Sequence, residues 1–257
     1  MSNETIHAAP TTRQPRRGRD AVYGVVGVVG ELLITLGVLL FAFLLWQLWW
    51  TDVVGNRAQA EIVRELPFEP VPTATPGQSG PVVATPRRDE PPVMVEPAHA
   101  TTFATIQVPR WAGEPERPIS QGTDRATVLD VLGIGHYEGT AMPGGVGNFA
   151  VAGHRTTYAR PFHRVEELQV GDPLVVRTTD EVWYVYRVTS TEVVMPSEVS
   201  VIAPVPGEPG TEPTERLITL TTCHPMFSAR ERFIVHGVLD YWAPTSDGIP
   251  AELVDAA

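Results

Sequence analysis

The sequence predicts a mainly β domain with one or two short helices, set behind a single transmembrane helix and a proline-rich linker. Three observations predict it. A nearly uninterrupted apolar stretch fills residues 22–50, prolines crowd residues 67–118, and the remainder is a succession of short β-branched and aromatic runs broken by turn residues. Many short strands at close spacing read as a barrel or a sandwich.

Residues 1–21 form a polar tail bearing Arg13, Arg16, Arg17 and Arg19, with too little apolar surface to fold around. Across residues 22–50 Glu31 is the only charge, and from Leu32 onward the stretch is apolar apart from Thr35 and Gln47. About 20 such residues cross a ~30 Å hydrocarbon core as a helix, so the lipid bilayer is the expected partner of residues 22–50. Trp46, Trp49 and Trp50 suit the far interface. The arginines before the span put the N-terminus in the cytoplasm and everything after Trp50 outside the cell membrane. A cleaved signal peptide competes with this, because Ala58-Gln59-Ala60 looks like a cleavage site. An apolar signal region runs about 7–15 residues, far shorter than this one, which favours an uncleaved anchor. Glu31 either has an intramembrane partner or lies near enough to the cytoplasmic end to snorkel, and snorkelling or a shifted helix start is the expectation.

Residues 51–101 read as an extracellular linker. Its start, 51–65, is compatible with a short polar helix. The part from Pro67 to Pro97 is mixed with Thr, Gly and charges and reads as an extended stalk. At ~3.1 Å per residue, some 30 residues in polyproline geometry reach ~90 Å.

Residues 102–257, roughly 150 of them, suffice for one core. Strand candidates are 103–108, 126–129, 148–152, 217–222 and 233–239, with 173–177 and 182–188 forming a hairpin around the polar turn 178–181. One segment, 159–168, looks helical, with Pro161 suited to a first turn. Gly144-Gly145-Val146-Gly147-Asn148 lacks the Gly-Lys-Ser/Thr ending of a phosphate loop and precedes a strand, so it reads as a turn. The formal net charge of −11 argues against a nucleic-acid partner held through phosphates.

The chemistry turns on one residue. Cys223 is the only cysteine and ends the β-branched run Leu217-Ile218-Thr219-Leu220-Thr221-Thr222. Alone, it makes neither an internal disulfide nor a thiolate-rich zinc site. It is a packing residue, a surface thiol or a nucleophile, and residue type by itself favours packing. A nucleophilic cysteine needs an imidazolium, a cation or a helix N-terminus to become a thiolate. Of the seven histidines, His7 and His99 fall in segments read as disordered and His163 in the expected helix. His136 reads as a surface residue at a strand end, and His224 and His236 lack motif support. His154 differs: it follows strand 149–152 and Gly153, and so projects from a strand end as Cys223 does.

Thr219-Leu220-Thr221-Thr222-Cys223 resembles the Thr-Leu-x-Thr-Cys signature of sortases, and the segment from Gly147 to His154 is similar to the one carrying that family's catalytic histidine. The family also has an arginine at the start of the strand after the cysteine. Arg232 fits that place; Arg230 is its rival, and the strand beginning at Phe233 favours Arg232. The resemblance covers residues 103–243 and is greatest to the class E sortases of actinobacteria, through the short Cys223–Arg232 interval and the Cys-His-Pro continuation. Papain-like enzymes place Cys before His, whereas here His154 comes first.

The resemblance implies a closed β-barrel and a cysteine transpeptidase. Cys223 would attack a peptide carbonyl to form a thioacyl intermediate, His154 would act as general acid and base, and Arg232 would donate to substrate or oxyanion. Thr222 either orients substrate or is an ordinary strand threonine. The class implies cleavage between Thr and Gly of a Leu-Ala-x-Thr-Gly or Leu-Pro-x-Thr-Gly type of sorting signal on surface proteins. The acceptor implied is a peptidoglycan precursor amine. No cofactor is expected, and no acidic cluster suggests a metal. Two alternatives stand beside this one: a pilin-polymerising sortase, for which residues 111–118 would serve as a lid, and a non-enzymatic β domain binding the cell wall with Cys223 buried.

Overall fold

The computed structural model describes residues 17–72 and 81–254; the tail expected over 1–21 therefore lies largely outside the described residues. Helix α1 runs Arg17–Glu65. Among the described residues it is the one helix long and apolar enough to cross a membrane. The chain divides into two compact units, one ending at Leu48 and one running from Trp49 onward. In the first, the side chains described around Glu31 are exposed and apolar.

The second unit is a barrel of eight strands: β1 Thr102–Gln107, β2 Arg117–Gln121, β3 Ile134–His136, β4 Gly147–Ala152, β5 Pro173–Thr178, β6 Val182–Val194, β7 Arg216–His224 and β8 Glu231–Pro244. It closes in the order β1-β2-β3-β4-β7-β8-β6-β5. Closure leaves no unpaired edge to cover. The interior follows the period of two: Phe149 and Val151 of β4, Ile218 and Leu220 of β7 and Tyr184 and Tyr186 of β6 share one core. The opposite face of β5 and β6 is covered as well. Val175, Trp183 and Val185 pack with Tyr241 beneath Ile249 and Leu253 of the C-terminal segment, which ends in the short helix α2, Ala251–Val254.

Several expectations need correction. The run 126–129 is no strand but part of a π-helical turn, Arg125–Leu129, because the Asp124 carboxylate accepts the Thr127 N–H at 2.9 Å and caps it. Segment 159–168 contains only a 3-10 turn, Val165–Glu167. Its entry is blocked by positive φ at Tyr158, Ala159 and Arg160, and its buried Phe162, Val165 and Leu168 recur every third residue. β2 and β3 have no counterpart in the sequence reading, since Pro118 argues against a strand and Ile-Gly-His is too short to register.

The stalk is corrected most. Residues 81–101 lie along the barrel. Val83 and Arg87 bridge to Ile249 and Trp242, the Tyr184 hydroxyl donates to the Pro92 carbonyl at 2.7 Å, and Gln121 donates to Glu96 at 2.5 Å. Upstream, Phe68 stacks on the Arg177 guanidinium at 4.1 Å. Prolines lack an N–H, so such a segment offers mainly carbonyls, and barrel side chains supply the donors. The ~90 Å reach does not apply to residues packed in this way. His99, far from disordered, sits 2.8 Å from Glu138.

Candidate active site

Cys223 is the penultimate residue of β7, and the register of that strand decides its neighbours. β4 runs parallel to β7 with Ala152 opposite Thr221. Two residues beyond that pair, His154, just past the end of β4, and Cys223, still within β7, therefore emerge from the same end of the barrel. The Gly153 N–H donates to the Thr221 carbonyl at 3.1 Å, and the Thr222 hydroxyl donates to the Gly153 carbonyl at 2.7 Å. β8 runs antiparallel to β7 with Cys223 directly opposite Arg232. Directly opposed residues share a sheet face with Cβ atoms about 5 Å apart. The three predicted residues thus stand in one row, and all three line a cleft of about 570 Å³ with Tyr137, Thr221, Thr222 and Phe227. The thiol is partly exposed, so it is not the buried packing residue that its type alone favours.

The imidazole is held from two sides. His154 Nε2 lies 2.6 Å from Asp130 Oδ1, and its ring packs on Tyr158 with centroids 5.0 Å apart. Asp130 follows the π-helical turn, so the motif misread as a strand is what delivers the carboxylate. The Arg232 guanidinium donates to the Ala229 and Glu231 carbonyls, each at 2.9 Å, which fixes it at the mouth of the β7–β8 loop. Arg230 is largely exposed, pairs only loosely with Glu231 at 3.9 Å, and does not line the cleft. Thr222 is buried, its hydroxyl spent on Gly153.

Sequence reasoning missed the supporting groups. Arg155 is buried beside the nucleophile: it donates to the Cys223 carbonyl at 3.3 Å and pairs with Glu166 at 2.6 Å, while Glu166 lies 3.1 Å from His224 Nδ1. Gly153 has no room for a side chain, since a Cβ would stand 2.7 Å from the Phe162 ring. The other histidines are placed elsewhere. His136 is fully buried between Phe103 and Phe149 rather than on the surface, and burial pushes its pKa down. His236 joins Thr219 and Glu192 away from the cleft. Trp111 is buried in the core, and none of residues 109–120 lines the cleft. Among the described residues no group of His, Cys, Asp and Glu is arranged to hold a metal.

A partly exposed thiol, an imidazole and a guanidinium on one cleft, at the end of a closed eight-stranded barrel, are the equipment of cysteine-dependent acyl transfer. A sortase-domain family model matches residues 106–240, and the chain belongs to the sortase family. It is 38% identical to the sortase SrtE1 of Streptomyces coelicolor, over 94% of this chain and 65% of that protein. It is 32% identical to SrtE2 of the same organism, over 87% and 85%. The chain thus spans about two thirds of the length of the first relative. Among solved structures, the SrtA sortase from Actinomyces oris matches with TM-score 0.62 and 45% identity, covering 65% of this chain and 96% of that one. Sortase E1 from Streptomyces coelicolor, solved with a tripeptide in its active site, matches with TM-score 0.56 and 40% identity, covering 60% and 98%.

Proposed function

We propose that this chain is a membrane-anchored cysteine transpeptidase. It cleaves a Leu-Ala-x-Thr-Gly or Leu-Pro-x-Thr-Gly type of C-terminal sorting signal between Thr and Gly and passes the new acyl end to a cell-wall amine. The observation that carries this reading is the double register of β7, parallel to β4 and antiparallel to β8, which sets His154, Cys223 and Arg232 along one cleft. The Cys223 thiolate attacks the Thr carbonyl carbon. A C–S bond forms, the carbonyl becomes an oxyanion facing Arg232, and collapse expels the Gly amine, which takes a proton from His154. The acceptor amine then gives a proton to His154, attacks the thioacyl carbon and releases Cys223. Arg232 donates throughout without losing its own proton.

Residues 22–50 anchor the chain with the N-terminus, residues 1–21, in the cytoplasm. The catalytic domain, residues 102–257, acts outside, where both sorting-signal proteins and peptidoglycan precursor amines are found. Supporting this are the apolar span of α1 and the family membership. The test uses the full chain in detergent with a fluorogenic Leu-Ala-x-Thr-Gly peptide and an added amine. Mass spectrometry is expected to find the Thr–amine product, absent with Cys223→Ala. Neither cleavage nor ligation across a panel of sorting peptides would overturn the proposal.

A further inference from the structure

The part of α1 from residue 52 to 59 lies within the barrel unit and meets the loop that follows His154. Three consecutive residues of that loop, Tyr158, Ala159 and Arg160, have φ of 54°, 64° and 41°. Residues with side chains hold such a left-handed run only where the surroundings impose it. All three are met from the helix. Asp52 Oδ2 pairs with Arg160 Nε at 3.2 Å. A Cβ on Gly55 would stand 2.8 Å from the Ala159 nitrogen and 3.1 Å from the Tyr158 carbonyl carbon, so here backbone packs on backbone. Gln59 Nε2 donates to the Tyr158 carbonyl at 3.3 Å.

Positions 52, 55, 56 and 59 form one helix face. That face is anchored, since Arg117 donates to Asn56 at 2.6 Å and to Gln59 at 3.1 Å. Gln59 is only 2% exposed, and its amide also fills the space above Gly133, where a Cβ would stand 3.0 Å away. The two segments touched in this way are the ones that grip the imidazole. One carries Tyr158, packed on His154, and the other runs on from Asp130, bonded to His154. None of the four helix residues lines the cleft itself.

We propose that residues 52–59 of α1 are a positioning element for His154, acting through the 158–160 loop and the turn after Asp130, with Gly55 and Gln59 as its key contacts. This rests on the reading of His154 as the general acid and base. Gly55 separates local from tertiary effects. Alanine there favours the helix itself but crowds the loop, so the two effects have opposite signs.

The test measures steady-state cleavage of the Leu-Ala-x-Thr-Gly peptide by the full chain in detergent, for Gly55→Ala, Gln59→Ala and the control Arg57→Gln on the exposed side of the helix. Because a small displacement of a reacting group is costly, kcat should fall about tenfold or more in the first two variants, with KM within about twofold. Both variants lose or crowd buried contacts and should melt a few degrees lower, so kcat is measured well below each melting transition, and Arg57→Gln should match the parent. Charge reversal supplies a rescue: Asp52→Arg should lower kcat, and adding Arg160→Asp should restore it. Unchanged kcat in both Gly55→Ala and Gln59→Ala, a change confined to KM, or a double variant as slow as the single one would overturn the inference. His154→Ala is run alongside. If it stays active, the reading of the site itself fails; if it is dead while the helix variants are normal, only the positioning role fails.

Discussion

Asp130 offers the sharpest test of how the site is held. Its Oδ1 lies 2.6 Å from His154 Nε2, and the two side chains are only 21% and 15% exposed, so solvent screens the contact weakly. Arg125 approaches the same oxygen at 3.5 Å but is 70% exposed and adds little. A hydrogen bond to a charged group contributes about 1.5–3 kcal/mol, and a neutral one about half as much. Asp130→Asn keeps the shape and an acceptor while removing the charge, so the hydrogen bond that holds His154 weakens by about 1–1.5 kcal/mol, close to tenfold in kcat. Asp130→Ala removes the whole interaction and should cost roughly ten- to a hundredfold. The assay is fluorogenic peptide cleavage by the full chain, with ligation product quantified by mass spectrometry and circular dichroism confirming the fold. If Asp130→Asn turns over within about twofold of the parent, the charge of Asp130 plays no part, and if Asp130→Ala does so as well, the orientation argument is refuted.

Thr222→Val deletes the buried hydroxyl bond to Gly153; leaving that carbonyl short of a partner should cost about 1–3 kcal/mol and lower Tm by several degrees in calorimetry. Phe162→Ala removes a fully buried ring beneath Gly153 and should cost about 3–5 kcal/mol in denaturant titration; a loss under about 1 kcal/mol would show that the site relaxes freely. Tyr184→Phe releases the Pro92 carbonyl and should speed amide hydrogen exchange at Val93, Met94 and Val95 with little effect on the rest of the barrel. For Glu116, burial holds the carboxyl above its ordinary value of 4.5 despite the Thr105 hydroxyl and Arg177 nearby. The unfolded chain therefore ionises first, so this group's contribution is lost as pH rises through 4.5 toward the folded-state value. Glu116→Gln, which keeps an acceptor for Thr105, should raise Tm at pH 7 and lose that advantage in acid; equal melting curves at pH 7 would contradict the burial argument.

The long apolar helix, a β domain of barrel or sandwich type and the family were legible in the residues, because each rests on a local pattern, and the choice of a closed barrel came through the family resemblance. An apolar run must be long to cross lipid, β-branched alternation marks strands, and a thiol at a strand end together with an imidazole at another forms a recognisable motif. The misreadings share a cause too. A β-branched run at 126–129 became a helical turn because one aspartate capped it, and an apolar spacing of three at 162–168 became a 3-10 turn. Such outcomes depend on single hydrogen bonds and on backbone angles set by distant packing.

By itself the sequence pointed to the candidate residues that carry reactive atoms and to six of the eight strands, β1 and β4 to β8, since side-chain chemistry and the period of two are properties of the chain. Only the tertiary structure decided that β4 lies parallel to β7 with Ala152 opposite Thr221, which sets His154 beside Cys223. It alone recruited Asp130, Arg155, Tyr158 and the polar face of α1 around them. It also laid the proline-rich segment against the barrel. Register, closure and burial bring together groups separated by tens of residues, and the free energy that selects them belongs to the packed whole rather than to any stretch of the chain.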